Sequence, residues 1–442
     1  MTKRSIFTAE DGKNYTVTFI LISSLFLLWG FCNGMIDVMD KHFQDQLHLT
    51  KSQSAWVQVA HYMGYCFMSL PAGWLARRLG YKGGLISGLL IVALGGFWFI
   101  PATQIASLWA FLLGVFILAM GLTFLETIAN PYTTVLGDPH YAAARINLAQ
   151  SCNGIGWILG PVVGGMFFYS SEGAEAASKT LYIPYLAVAL IVLVMAAVFF
   201  FATIPEIQAE DAYTAETPVA GKPKSIWSHP HFVGAVIAQF CYVAAQAGIF
   251  SFFINYIVAE IPPVSEALAS GWLLKGGAIL RDGAYFVDEK GATVLLGYIG
   301  FTLFLLGRFS GSILLRKVPA HTILGLYGLI NAALMLVIFA KIGWLSVAAL
   351  FLSFYFMSIM FPTIFALGIF GLGEQSKKAS SFIVMAIMGG AVMPKLMGWV
   401  GDHYNMSRGF IVPFFCFAYV AFYSFGWPKL SQATPRPVGS RH

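Results

Sequence analysis

Charge is the scarcest commodity in this chain. Asp, Glu, Lys and Arg make up only 10% of its 442 residues, against roughly 25% in a soluble domain. The five cysteines (Cys32, Cys66, Cys152, Cys241 and Cys416) all fall inside apolar runs, without CxxC or Cys/His spacing. They read as small packing residues, so neither a disulfide framework nor a metal centre is indicated. There is no Gly-rich phosphate loop and no dinucleotide fingerprint, so neither bound ATP nor a redox cofactor is expected. No nucleophile–base spacing supports an enzyme. The net charge of +6 comes from scattered basic residues and does not point to nucleic acid.

What is present is apolar length. Hydrophobic residues reach 58% and mean hydropathy is +0.74, more apolar surface than a soluble fold can hide. The runs are long and continuous rather than short and alternating, which excludes a β-barrel and predicts an all-α polytopic membrane protein. Residues 1–14 are polar and the first apolar run is span-length, so no cleaved signal peptide is expected. At about 20 residues per span, the runs place spans 1–6 near 17–39, 54–75, 83–101, 106–134, 144–169 and 181–203. Spans 7–12 follow near 231–258, 292–314, 320–340, 343–370, 379–401 and 409–427. The chain thus divides into an N-terminal six-helix bundle (1–204), a polar cytoplasmic linker (205–230) and a C-terminal six-helix bundle (231–442). A second polar stretch, 261–291, reads as an external excursion. Basic residues, among them Arg77, Arg78, Lys82, Arg145, Arg308 and Lys377, concentrate on the side of the termini, which predicts both termini inside.

Against this background two acids stand out. Glu126 is the only charged residue between Lys82 and Asp138, in the middle of span 4. Asp37 is the first charge after Lys13, in the outer half of span 1. An ionised carboxylate at such depth costs roughly 2.5–3.5 kcal/mol or more unless it faces a polar cavity, finds a partner or is protonated. Loss of water penalises the charged form of either acid, as a reversible proton site requires. Lys41, one turn beyond Asp37, offers the plainer alternative of an ion pair. For Glu126 the alternative is a carboxylate locked to a neighbouring helix for assembly.

On span 5, Asn147, Gln150 and Asn153 recur at three-residue steps and form a slanted amide stripe. Amides donate and accept together, which suits sugar hydroxyls. Interhelical hydrogen bonding, worth about 0.6 kcal/mol per contact, explains the stripe equally well. Gln239, Tyr242 and Gln246 form a similar polar stripe on span 7. The glycines Gly156, Gly160, Gly164 and Gly165 around Pro161 permit close helix approach, with packing the commoner reason. His61 in span 2 reads as a packing residue, and Lys395 in span 11 as one that snorkels outward.

The two halves echo each other. Gly73-Trp-Leu-Ala-Arg77-Arg78-Leu-Gly80-Tyr-Lys82 follows span 2, and Gly307-Arg308-Phe-Ser-Gly311-Ser-Ile-Leu-Leu-Arg316-Lys317 ends span 8. Asn130-Pro131-Tyr132 in span 4 answers Phe361-Pro362-Thr363 in span 10. Six-plus-six spans with matching inner loops resemble the major facilitator superfamily, whose fold has 12 transmembrane helices in two pseudo-symmetric six-helix bundles. The acid usual in the first loop is Ala76 here.

The resemblance becomes specific at Leu125-Glu126-Thr-Ile-Ala-Asn-Pro-Tyr and Arg145-Ile-Asn-Leu-Ala-Gln150-Ser-Cys-Asn153. It continues at Ala238-Gln239-Phe-Cys-Tyr-Val-Ala-Ala-Gln246 and Met360-Phe-Pro-Thr-Ile-Phe365. These stretches resemble the L-fucose permease family of sugar symporters. The resemblance implies import of a monosaccharide with a proton by alternating access, in a bacterial inner membrane, by a monomer without cofactors. Asp37 and Glu126 would link protonation to sugar binding, and Gln150 and Asn153 would meet sugar hydroxyls. The asparagine that the family places three residues before the span 1 acid is Gly34 here, with Asn33 beside it. Some relatives use sodium or carry glucose, galactose or amino sugars. An exchanger or efflux protein of the same fold is the further alternative.

Overall fold

The computed structural model describes residues 6–8, 12–46, 56–138, 141–168, 182–207, 213–214, 225–274, 276–432 and 434–435. Ten helices among them are long and apolar enough to cross a membrane. One of the ten runs from Val59 to Ile105 and covers two spans. With the helix Ala142–Phe168 this makes twelve spans, as the apolar runs require. The physical reason is the usual one: backbone polar groups in hydrocarbon must be satisfied within their own helix.

In the first half, span 1 is Thr16–Gln46, and spans 2 and 3 run together as Trp56–Ile105. They divide at Gly80, whose φ of 72° lies where only glycine is unstrained. Spans 4, 5 and 6 are Leu108–Val135, Ala142–Phe168 and Tyr182–Phe201. Ser107 caps span 4 by accepting a hydrogen bond from the Ala110 amide at 3.4 Å. In the second half, span 7 is Pro230–Glu260, with proline at its first turn where no amide is needed. Span 8 is composite: Glu289–Leu295, a π turn over Leu296–Phe301, then Thr302–Leu314. Span 9 is Ala320–Phe339, and span 10 is broken into Trp344–Met357 and Met360–Ile369. Span 11 joins Ser376–Met385 to Gly389–His403 through a 3-10 turn, and span 12 is Ile411–Ser431.

The stretch 261–291 has structure of its own. A short helix, Glu266–Ser270, precedes a β-hairpin in which Ala278–Arg281 pairs antiparallel with Ala284–Val287. Asp282 and Gly283 turn the hairpin with φ of 49° and 79°, the geometry of a two-residue turn that matches strand twist. Of the linker, most of 208–224 lies outside the described residues. Its described part includes a 3-10 turn at Ile226–Ser228.

Two seams position the centre of the molecule. Within the first half, spans 1 and 5 meet backbone to backbone, and added Cβ atoms at Gly156 and Gly160 would strike Leu27, Phe31 and Met35. Gly156 and Gly160 are therefore packing glycines. Between the halves, contacts gather at the end that carries the termini. Gly73 of span 2 lies against Lys377 and Ser381 of span 11. Ser312 of span 8 donates to the Ala144 carbonyl of span 5 at 2.9 Å, and Asn147 donates to Thr363 Oγ1 of span 10 at 3.1 Å.

Candidate functional site

Span 4 carries the Glu126 side chain into the centre of the first half, where it is 1% exposed. Neither carboxylate oxygen has a hydrogen-bond partner among the described residues. Trp29 Nε1 of span 1 donates to the Tyr65 hydroxyl of span 2 at 2.7 Å. That hydroxyl faces Glu126 without closing a bond of regular geometry. Because the hydroxyl oxygen already accepts from Trp29, its own proton is free to point at the carboxylate. Leu25, Phe26, Trp29, Leu125 and Ala129 line the slit beside Glu126. The alternative of a carboxylate locked to a neighbouring helix for assembly would need a hydrogen-bond partner, which neither oxygen has among the described residues.

The cation that acts on Glu126 comes from the other half. Arg308 of span 8 lies within electrostatic reach of both Glu126 and Tyr242. Its charge pattern placed it with the loop cations on the side of the termini. The structure corrects this: Arg308 sits inside the helix Thr302–Leu314 and is 5% exposed. One guanidinium nitrogen donates to the backbone carbonyl of Gln150 and to its Oε1, the latter at 2.8 Å. Arg145, grouped with the same loop cations, is also buried. It donates to five carbonyls, those of Ile6, Thr133, Thr134, Gly137 and Asp138, and so fastens the end of span 4.

The span 5 stripe separates on inspection. Gln150 donates to Asn130 Oδ1 at 3.1 Å while accepting from Arg308. Asn147 donates to the Ala143 carbonyl and to Thr363, which makes it an interhelical tie with Oδ1 left over. Asn153 reaches the Phe26 carbonyl of span 1 at 3.4 Å, another tie. On span 1, Asn33 is buried with Oδ1 unbonded. Asp37 lies one turn further along the same helix, and its side chain falls outside the described residues, as does that of Lys41. On span 7, Gln239 and Tyr242 are buried with their polar atoms unbonded, while Gln246 is only half-buried. Phe361 of span 10 stands 6.4 Å from the Tyr242 ring, centroid to centroid.

Glu126, Asn130, Asn147, Arg308, Gln239 and Tyr242 thus bring together buried polar atoms without hydrogen-bond partners among the described residues. Such atoms cost about 1–3 kcal/mol each when left unpaired. His61, one turn before Tyr65 on span 2, adds an Nδ1 unbonded among the described residues, with its ring centroid 5.0 Å from that of Tyr65. It packs against an aromatic ring rather than through a hydrogen bond on that nitrogen. Lys395 is exposed. Sequence reasoning passed over Arg308 and Tyr65. Arg308 follows Gly307 in a motif read as a loop, and Tyr65 carries no signal apart from its spacing from His61.

At the end of the termini a second polar group spans the halves. Glu206, read as a linker charge, accepts from the Tyr81 amide at 2.8 Å just after the Gly80 break, and it pairs with Lys377 of span 11. The Lys377 ammonium also lies 4.1 Å from the Tyr81 ring centroid. Tyr132 donates to the Pro205 carbonyl at 2.7 Å, holding this corner against span 4. Ala76, in the place of the usual loop acid, is buried.

The model of the Major Facilitator Superfamily matches residues 15–393. The L-fucose-proton symporter of Escherichia coli (strain K12) is 35% identical over 432 residues, covering 93% of each chain. The glucose/galactose transporter of Brucella abortus biovar 1 (strain 9-941) is 32% identical, covering 94% of this chain and 95% of that one. The crystal structure of the transporter FucP in the outward conformation superposes with a TM-score of 0.75 at 34% identity, covering 93% and 99% of the two chains. With twelve spans and a polar centre built from both halves, the chain belongs to the L-fucose permease family of the major facilitator superfamily.

Proposed function

We propose that this protein imports a monosaccharide, L-fucose or a related hexose, together with a proton by alternating access. The observation that carries the reading is Glu126, a buried carboxylate with both oxygens unbonded among the described residues, faced by the Tyr65 hydroxyl and within electrostatic reach of Arg308. A charge so placed is costly in a closed site. Taking up a proton removes the cost, so closing around the substrate is favoured only when the proton is aboard. Protonation shifts the conformational equilibrium because the two states bind the proton differently. Asp37, one turn beyond Asn33, is the second acid in the same scheme.

The amides and hydroxyl of Asn33, Asn147, Gln150, Asn153, Gln239, Tyr242 and Gln246 are the groups we assign to sugar hydroxyls. Both halves contribute, so a bound sugar draws them together. The termini lie in the cytoplasm of a bacterial inner membrane in this reading, and the protein works as a monomer. The contacts at the end of the termini then close the cytoplasmic side, leaving the outer side to admit solute. A glucose- or galactose-type substrate, with sodium as the coupling ion, is the second reading; the Brucella relative's name favours that substrate class.

Uptake of a panel of labelled sugars into proteoliposomes, with proton and sodium gradients imposed separately, tests the proposal. Accumulation of one hexose under an inward proton gradient is expected. Accumulation under sodium alone selects the second reading, and expulsion under either gradient overturns import.

A further inference from the structure

The excursion between spans 7 and 8 carries an exposed aromatic pair that the transport cycle does not use. Trp272 is 81% exposed and Tyr298 is 64% exposed, and their rings meet edge to face with centroids 6.1 Å apart. Tyr298 belongs to span 8, within the candidate membrane helix Gly291–Leu314. It heads a stripe of exposed side chains that continues through Leu306, Phe309 and Ile313. This stripe lies away from Arg308, which points into the bundle, so it is the face that span 8 turns to lipid. At 1.5 Å rise per residue, Tyr298 lies about 13 Å along the helix from Glu289, where span 8 begins.

We propose that the 261–291 excursion is docked on the bilayer, with Trp272 seated at the boundary between headgroups and acyl chains. The argument is continuity: a side chain in ring contact with a lipid-facing tyrosine of a membrane span shares that residue's surroundings. Trp and Tyr favour that boundary because each joins an apolar body to one polar tip. Leu280, 60% exposed on the hairpin, adds apolar surface to the same excursion, while the turn at Asp282 and Gly283 supplies its polar end. The excursion is held to its own half. Val264, just after span 7, bridges Tyr285 of the hairpin, and Asp288 caps span 8 by accepting from the Gly291 amide at 2.8 Å. Within it, Leu274 and Val287 are buried. The excursion would then move with the second half as a lipid-seated collar, whichever solute the protein carries.

Nitroxide labels at Trp272→Cys and Asp282→Cys, in the full-length protein in phosphatidylcholine vesicles, test this. The signal of the unsubstituted protein, labelled in the same way, is subtracted to remove the native cysteines. The label at 272 is expected to collide more often with oxygen than with a water-soluble nickel chelate, and the label at 282 to show the reverse. Tyr298→Ala should then raise nickel access at 272 severalfold. Free access of nickel to both labels overturns the proposal by placing the excursion in water. Exclusion of both reagents at 272 overturns it by placing a second protein copy there. Both substituted side chains are exposed, and quenching of wild-type tryptophan emission by brominated lipid, reduced in Trp272→Phe, gives a second reading that needs no label.

Discussion

Arg308 donates from a single nitrogen to both the backbone and the side-chain oxygen of Gln150, and so ties span 8 to span 5 across the two halves. The same guanidinium acts on Glu126 and Tyr242. A charge in span 4, an amide in span 5 and a phenol in span 7 therefore respond to one cation. Any movement of the halves relative to each other changes what Glu126 feels.

Replacing Glu126 with Gln keeps the shape of the side chain and removes its titration. Proton-driven accumulation is expected to fall to background while counterflow exchange of labelled for unlabelled sugar persists. Proteoliposome uptake with and without a pH step separates the two, and undiminished accumulation under the pH step would sink the coupling role.

Arg308→Lys preserves charge but replaces the planar guanidinium, and with it the placed nitrogen that serves Gln150 twice. Hydrogen bonds to a charged group are worth about 1.5–3 kcal/mol, so a loss of roughly 10- to 100-fold in uptake efficiency is expected. A merely structural arginine would lower expression and thermal midpoint instead, which size-exclusion chromatography and a melt in detergent would reveal.

The Glu206–Lys377 pair crosses the halves beside Gly73 and Tyr81. Glu206 is about half exposed, so the pair is worth no more than about 1 kcal/mol after solvent screening. Glu206→Gln is expected to shift the resting population severalfold toward the state open at the end of the termini. Spin-label distances across that end measure the shift, and the exchange of Glu206→Lys with Lys377→Glu should restore it in part. An unchanged distance distribution in Glu206→Gln would remove the pair from the gate.

Gly73 supplies a sharper version of the same experiment. A Cβ there would collide with Ser381 and the Lys377 carbonyl of the other half. Gly73→Val should spare folding within the first half but disfavour closure at this end. Retained expression with weakened sugar binding from the opposite side is the expected result, measured by ligand-induced stabilisation in detergent.

How much of this was legible in the sequence depends on what each feature contrasts with. The spans were readable because apolar runs of bilayer length have one physical use, and Glu126 because it is alone among 55 residues. The glycines of span 5 were readable as a packing seam. Arg308 was not, because it lies six residues before the end of its helix with Arg316 and Lys317 close behind. A cation near a span end follows the orientation rule whether it faces water or the interior. The π turn in span 8, which changes the face that Arg308 presents, leaves no mark in hydropathy. Glu206 looked like a solvated linker charge because its partners, Tyr81 and Lys377, are far away in sequence. The span 5 amides were ambiguous for a chemical reason, since an amide that can bind a sugar can also bind a carbonyl. In this conformation Asn147 does so with the Ala143 carbonyl and Asn153 with that of Phe26.

The glycine seam between spans 1 and 5 has a consequence for how substrate preference can drift. Gly30 abuts the Asn153 carbonyl, and Gly156 and Gly160 abut the backbone of span 1. With no side chains between them, the two helices form one plate, and Asn33, Gln150 and Asn153 keep fixed spacings on it. Such a plate is a poor place to remodel a pocket, because displacing one group displaces the others. On the proposed assignment of the sugar site, adaptation to a new hexose would fall to the opposite wall, where Gln239, Tyr242 and Phe361 can be exchanged one at a time.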